Sequence, residues 1–214
     1  VKKVTILFDL DGTLIDSTEA ILHCFYHTFD RFALPRPKEE EITKLIGHPL
    51  DFMYLHLGVK NPEPFVRAYK ECYKEVSKKM TRLLPGAKEA VLEAYGFANL
   101  GVVTTKTGLY SKELLEFFGL LEYFKTVIGR EDVINPKPHP EPVLKALHQI
   151  GALKEHSWMV GDTCLDIEAA NAASIHSVAL LCGYESKESL RRCAKYIKDD
   201  APGAVRFIKH FENV

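Results

Sequence analysis

Asp9 and Asp11 stand one residue apart at the end of a short apolar run, Val4-Thr5-Ile6-Leu7-Phe8, and are followed by Gly12 and the hydroxyl of Thr13. Side-chain direction repeats every two residues in an extended chain, so both carboxylates can be offered to one side. Asp-Gly by itself is a common turn dipeptide. What gives it meaning is three later positions: Thr104 after Val102-Val103, Lys137 between Pro136 and Pro138, and Asp162 with Asp166 after Met159-Val160. Clustered carboxylates repel one another, and oxygen donors without a histidine or cysteine pattern suit Mg²⁺, which keeps several waters and is completed by substrate phosphate. A hydroxyl and a lysine opposite would clamp the remaining oxygens of a phosphoryl group in transit. On this reading Asp9 is the candidate nucleophile, forming an aspartyl-phosphate, and Asp11 is the acid/base that supplies the leaving alkoxide with a proton.

Such chemistry requires the segments that carry these residues to end on one edge. The near-continuous apolar character of Val4–Phe8 predicts a strand buried on both faces, as in a parallel sheet. Further strands are expected at 100–103, 126–128, 158–160 and 176–181, alternating with helices at 87–94, 109–118, 143–150 and 165–173, and followed by terminal helices around a weak strand near Tyr196. A right-handed doubly wound sheet of this kind collects its strand tips, and its ligands, on one edge. The stretch between the first strand and this alternation reads differently. Ile21, Phe25, Phe29 and Phe32 have helical spacing in a segment that opens at Ser17, a candidate N-cap, and closes before Pro35. Two short helices, 38–46 and 50–57, follow on either side of Gly47-His48-Pro49, and a longer one after Asn61 carries Phe65, Tyr69, Tyr73, Val76 and Met80 on one face. No strand is expected there. The predicted fold class is α/β, a Rossmann-like doubly wound parallel sheet (1–15 and 83–214) with an inserted all-α cap subdomain (16–82) whose aromatics form its own core.

Twenty-eight basic and 29 acidic side chains leave a formal charge of -1, which gives no electrostatic footprint for nucleic acid or an anionic membrane. The expected partner is a small phosphorylated metabolite, bound by a monomer or homodimer. The apolar stretches are too short to span a bilayer and the first residues lack a signal-peptide pattern, so a cytoplasmic location is expected. Five scattered cysteines without a Cys-x-x-Cys pair predict reduced thiols, with Cys164 a small packing residue. His23 and His27 have the spacing of a metal pair but no third ligand nearby, and no metal role is expected of them.

With these motifs in order, the chain resembles the haloacid dehalogenase superfamily of phosphohydrolases over nearly its whole length. Asp9-Leu10-Asp11-Gly12-Thr13 is similar to the first motif of that family, Thr104 to the second, Lys137 to the third, and Gly161-Asp162-Thr163-x-x-Asp166 to the fourth. Leu14-Ile15-Asp16-Ser17, Pro85-Gly86-Ala87, Val102-Val103-Thr104-Thr105-Lys106 and Pro136-Lys137-Pro138-x-Pro140 are most similar to its phosphoglycolate phosphatase-like branch. The resemblance implies that Asp9 is nucleophile and metal ligand, that Asp11 also offers its backbone carbonyl to Mg²⁺, and that Asp162 is the outer metal carboxylate. Asp166 would join this metal group or orient its water or Lys137. Thr104 and Lys137 would hold the phosphate, with Thr13 and Thr105 as further substrate contacts. Gly47 and His48 lie where relatives place a substrate-specificity loop. The sequence departs from the family at His139, where aspartate is frequent, at Thr105, where asparagine is common, and at Ala173-Ser174, where Ala-Gly is usual. The implied activity is Mg²⁺-dependent hydrolysis of a small phosphate monoester, 2-phosphoglycolate first. Alternatives on the same core are a sugar-phosphate or nucleotide phosphatase, an inorganic pyrophosphatase, or a β-phosphoglucomutase-like phosphotransferase. A binding module without turnover fits the intact set of catalytic groups least.

Overall fold

Strand β1 (Val4–Phe8) is buried along its whole length in the computed structural model, which describes residues 2–214. The chain then runs through β2 (Ile15–Asp16), α1 (Thr18–Arg31), α2 (Glu39–Thr43), α3 (Leu50–His56), α4 (Glu63–Met80) and β3 (Arg82–Leu83). From there it alternates: α5 (Ala87–Phe97), β4 (Ala98–Val103), α6 (Gly108–Phe117), β5 (Phe124–Ile128), α7 (Glu141–Ile150), β6 (Ser157–Gly161), α8 (Cys164–Ala173), β7 (His176–Leu180), α9 (Lys187–Cys193), β8 (Ile197–Lys198) and α10 (Ala201–Phe211). Six strands form one parallel sheet in the order β5-β4-β1-β6-β7-β8. The strand order reverses around β1, so the carboxyl ends of β1, β4 and β6 border the crevice where open α/β sheets take ligands.

The two-residue period of β1 builds the layers on either side. Ile6 and Phe8 share a buried cluster with Val91 and Ala94 of α5 and Val205 and Ile208 of α10. Leu7 points the other way, into Val143 and Ala146 of α7 and Ala169 and Ala170 of α8. An unbroken apolar run is what this double burial requires.

The structure corrects the sequence reading in four places. First, the stretch 16–82 is not free of strands at its ends: β2 and β3 pair antiparallel, Ile15 with Leu83 and Asp16 with Arg82, where the chain leaves the sheet and returns. Second, Ser17 precedes α1 but its side chain does not cap it; Asp16 accepts from the Thr18 amide at 3.0 Å instead, and Ser17 turns to Asp11. Third, the helix expected over 38–46 is the shorter α2, because the chain tightens into a turn at Ile46 and His48. Fourth, Cys164 and Cys193, 29 residues apart, are disulfide-bonded between α8 and α9 with a Cα separation of 5.8 Å. Cys24 and Cys72 are free thiols whose sulfurs lie 2.6 Å apart between α1 and α4. The helices after β2 pack on one another through Phe25, Tyr54, Phe29 and Phe65, with Thr28 and Tyr54 sharing a hydroxyl hydrogen bond at 2.8 Å. No helix among the described residues is long and apolar enough to cross a membrane.

Candidate active site

Asp9 is the first residue beyond β1, and its amide donates to Val160 O at 2.9 Å, fixing it beside β6. Gly12 then turns the chain at a φ of +76°, and a Cβ there would stand 2.3 Å from Asp162 Oδ2. Only glycine allows both the turn and the approach, so the β1 loop lies directly on the Asp162 carboxylate. That carboxylate accepts from Thr13 Oγ1 at 3.2 Å and from the Tyr184 amide at 2.8 Å. Asp166, at the third position of α8, closes a capping box by accepting from the Thr163 amide and Oγ1 at 3.1 and 3.0 Å. Its other oxygen is 2.6 Å from Lys137 Nζ. Lys137 also reaches Asp9 Oδ1 and Val103 O, each at 3.0 Å, which engages all three of its N–H donors.

Oxygen atoms of Asp9, Asp162 and Asp166 all lie within 4.8 Å of one another, and all three residues are buried. Burial, with the Asp166 charge behind it, pushes the Asp9 carboxyl up to about 7 despite Lys137. Burial and the charges of Asp9 and Asp166 raise Asp162 well above the carboxylate range. For Lys137, burial opposes the charge, but Asp166 and Asp9 outweigh it and its pKa is raised. Three buried carboxylates thus face a single ammonium. A hard divalent cation suits this oxygen-only donor set and would supply the positive charge it lacks.

Asp11 is kept apart from that group. One of its oxygens is 3.1 Å from Lys106 Nζ and the other accepts from Ser17 Oγ. Its carboxylate therefore stays outside the metal group, which leaves to it the role the sequence reading gave Asp11 there, a backbone carbonyl offered to the cation. Asp166 is likewise engaged through both oxygens, which suits positioning of Lys137 rather than coordination.

Thr104 closes β4, is buried, and accepts from the Lys106 amide at 3.1 Å. Thr13 and Thr105, expected as substrate contacts, spend their hydroxyls on the protein, Thr13 on Asp162 and Thr105 on Gly47 O at 2.8 Å. The Thr105 bond ties the turn before α3 to the tip of β4. His48 in that turn is half-buried and stacks on Phe52 at 4.2 Å, and burial with the neighbouring His56 lowers its pKa. A cavity of about 410 Å³ opens beside Asp11, lined among others by Gly47, His48, Tyr69, Tyr73, Thr105 and Lys106. Tyr69 and Tyr73 thus wall the cavity as well as filling the helical core.

Lys106 and Tyr184 had no assigned role in the sequence reading, and Ser17 had one only as a helix cap. Lys106 stands in the same strand-tip triplet as Thr104, which was its visible signal. Ser17 comes to the site through the Gly12 turn and its signal was the Leu14-Ile15-Asp16-Ser17 stretch, whereas Tyr184 comes through the loop after β7 and nothing in its surroundings marks it.

Residues 6–180 match the model of the haloacid dehalogenase-like hydrolase family, and the chain belongs to that family. It is 34% identical over 190 residues to the pyrophosphatase PpaX of Halalkalibacterium halodurans, covering 88% of each chain. It is 31% identical over 197 residues to a phosphoglycolate phosphatase of Nitrosococcus oceani, covering 87% of each. Among solved structures it is similar to a predicted phosphoglycolate phosphatase from Haemophilus somnus, with a TM-score of 0.83, 27% identity, and coverage of 96% of this chain and 97% of that one.

Proposed function

We propose that this protein is a Mg²⁺-dependent phosphatase that hydrolyses a small phosphate monoester through an aspartyl-phosphate on Asp9, with 2-phosphoglycolate the first candidate substrate. The observation that carries the reading is the buried group of Asp9, Asp162 and Asp166 around Lys137, placed next to a cavity that can hold a leaving group. Mg²⁺, held by Asp9, Asp162 and the Asp11 carbonyl, would neutralise charge on the phosphoryl oxygens. The Thr104 hydroxyl grips an oxygen that remains, and Lys137 reaches another by exchanging its contact to Asp9 as that carboxylate turns to phosphorus. Asp9 forms a bond to phosphorus as the ester oxygen departs, and Asp11 gives that oxygen a proton. In the second half Asp11 takes a proton from the water that attacks phosphorus, the Asp9–phosphorus bond breaks, and inorganic phosphate leaves. Ser17 and Lys106 orient Asp11 for both transfers. Pyrophosphate is a second reading, favoured by the pyrophosphatase relative.

The test is a phosphate-release screen over a panel of phosphorylated metabolites, with Mg²⁺ and with EDTA, for the wild type and Asp9→Asn. Release by the wild type only with Mg²⁺, and its loss by at least about 10³-fold in Asp9→Asn, is expected. Retained turnover in Asp9→Asn would sink the nucleophile assignment.

A further inference from the structure

Lys106 takes no part in making or breaking the bonds to phosphorus, yet it is a buried cation beside them. Its side chain is only 9% exposed; Nζ lies 3.1 Å from Asp11 Oδ2 and 2.9 Å from the hydroxyl of Tyr73, and 4.3 Å from the centre of the Tyr73 ring. An ammonium has three N–H donors, and these two partners use two of them. The third is left for the cavity that Lys106 lines.

Its position fixes what would meet it. Asp11 donates the proton to the leaving group, so a leaving group close enough to receive it lies against Lys106. The other charges on the cavity wall are placed less well for such a contact. Arg130 gives one N–H to Val133 O at 3.1 Å and forms no ion pair with Asp11, while Glu131, which accepts from the amide of Gly108, and the exposed Asp51 and Glu63 carry the same sign as an anion and repel it. Lys70 also lines the cavity but, unlike Lys106, forms no ion pair with Asp11.

We propose that Lys106, braced by Tyr73, is a specificity-determining residue that binds a negative charge carried by the leaving group. The preferred substrates are then phosphate esters or anhydrides whose leaving group bears a carboxylate or a second phosphoryl group. This rests on the phosphatase reading of the same site. A charge-assisted bond made in a buried setting separates such substrates from neutral analogues, because a neutral leaving group leaves the ammonium short of a partner. Tyr73 belongs to α4, so the same contact links the helices inserted after β2 to the tip of β4.

The experiment compares kcat/KM for four compounds with Mg²⁺ present: 2-phosphoglycolate and pyrophosphate, with acidic leaving groups, and glycerol 2-phosphate and p-nitrophenyl phosphate, with neutral ones. The wild type should favour the acidic pair. Lys106→Met should lower kcat/KM for the acidic pair about 10- to 100-fold more than for the neutral pair, mainly as a rise in KM. Tyr73→Phe, which removes only the bracing hydroxyl, should act in the same direction more weakly and carries the test if Lys106→Met does not fold. Lys106→Arg should keep the preference. An equal fall on all four compounds overturns the proposal and leaves Lys106 with the positioning of Asp11 alone, with the phosphatase reading intact; a wild-type preference for the neutral pair overturns it too. No release by the wild type from any of the four overturns the phosphatase reading, and this inference with it.

Discussion

Lys137 holds Asp9, Asp166 and the Val103 carbonyl at once, from a side chain that is almost wholly buried. A lysine in a proline-rich loop is ordinarily solvated; here the loop delivers it inward to the place where three carboxylates meet. Removing one partner of a buried ionic group leaves the rest unpaired, which costs far more than the pair contributes when intact. Lys137→Met should therefore lower the unfolding free energy by about 3–5 kcal/mol in EDTA at pH 8, where Asp9 is ionised, as read by urea denaturation. Added Mg²⁺ should return part of that loss, since it supplies positive charge to the same oxygens. A variant as stable as the wild type in EDTA would mean that the ammonium does not hold this cluster together.

At the scale of elements, the turn from β6 into α8 carries much of the site, with Asp162 at its start and Asp166 in the first turn of the helix. Cys164 in that same first turn is tied to Cys193 at the end of α9, closing a loop across a separation of 29 residues. Closing a loop of that length in the unfolded chain is worth about 3–4 kcal/mol on the chain-entropy model. Cys193→Ser should accordingly lose about 3 kcal/mol of stability against the oxidised wild type, and match it once both are in dithiothreitol. Equal stability without reductant would show that the bond does not restrain the fold. This bridge is also an instance of what the chain does not display in one dimension. The strands of the sheet were legible because burial on both faces demands apolar runs, as in Val4–Phe8, and the carboxylates of the candidate site were legible because they sit where those runs stop. The β2–β3 pair has two residues on each side, too few for any periodicity to register. Cys164 and Cys193 meet only because β7 and the loop after it bring α9 back against α8, and Lys106 meets Asp11 and Tyr73 from parts of the chain far from its own. Contacts set by topology leave no local pattern.

For the molecule as a whole, the parallel sheet gathers strand ends from three distant parts of the chain and so buries like charges together. The fold tolerates this because Asp9 can hold a proton, its pKa being raised from 3.8 to about 7 by burial first and by Asp166 next. A carboxyl whose folded pKa exceeds its unfolded one contributes its full stability below the unfolded value, where both states hold the proton, and loses it as pH rises from the unfolded value to the folded one. In EDTA the melting temperature should therefore fall as pH rises from about 4 to about 7 and level off above it, and this fall should be flattened in Asp9→Asn, which cannot ionise. A cation bound by the folded state alone adds stability by mass action, and it competes with the proton for the same oxygens. The rise in melting temperature on adding Mg²⁺ should thus be larger at pH 8 than at pH 6, each kcal/mol appearing as about 2–4 °C for a chain of this size. Thermal melts at the two pH values, with EDTA and with Mg²⁺, read both effects. An equal rise at pH 6 and pH 8 would place the cation somewhere other than the Asp9 cluster, because only a site that must first give up protons couples its affinity to pH in this range.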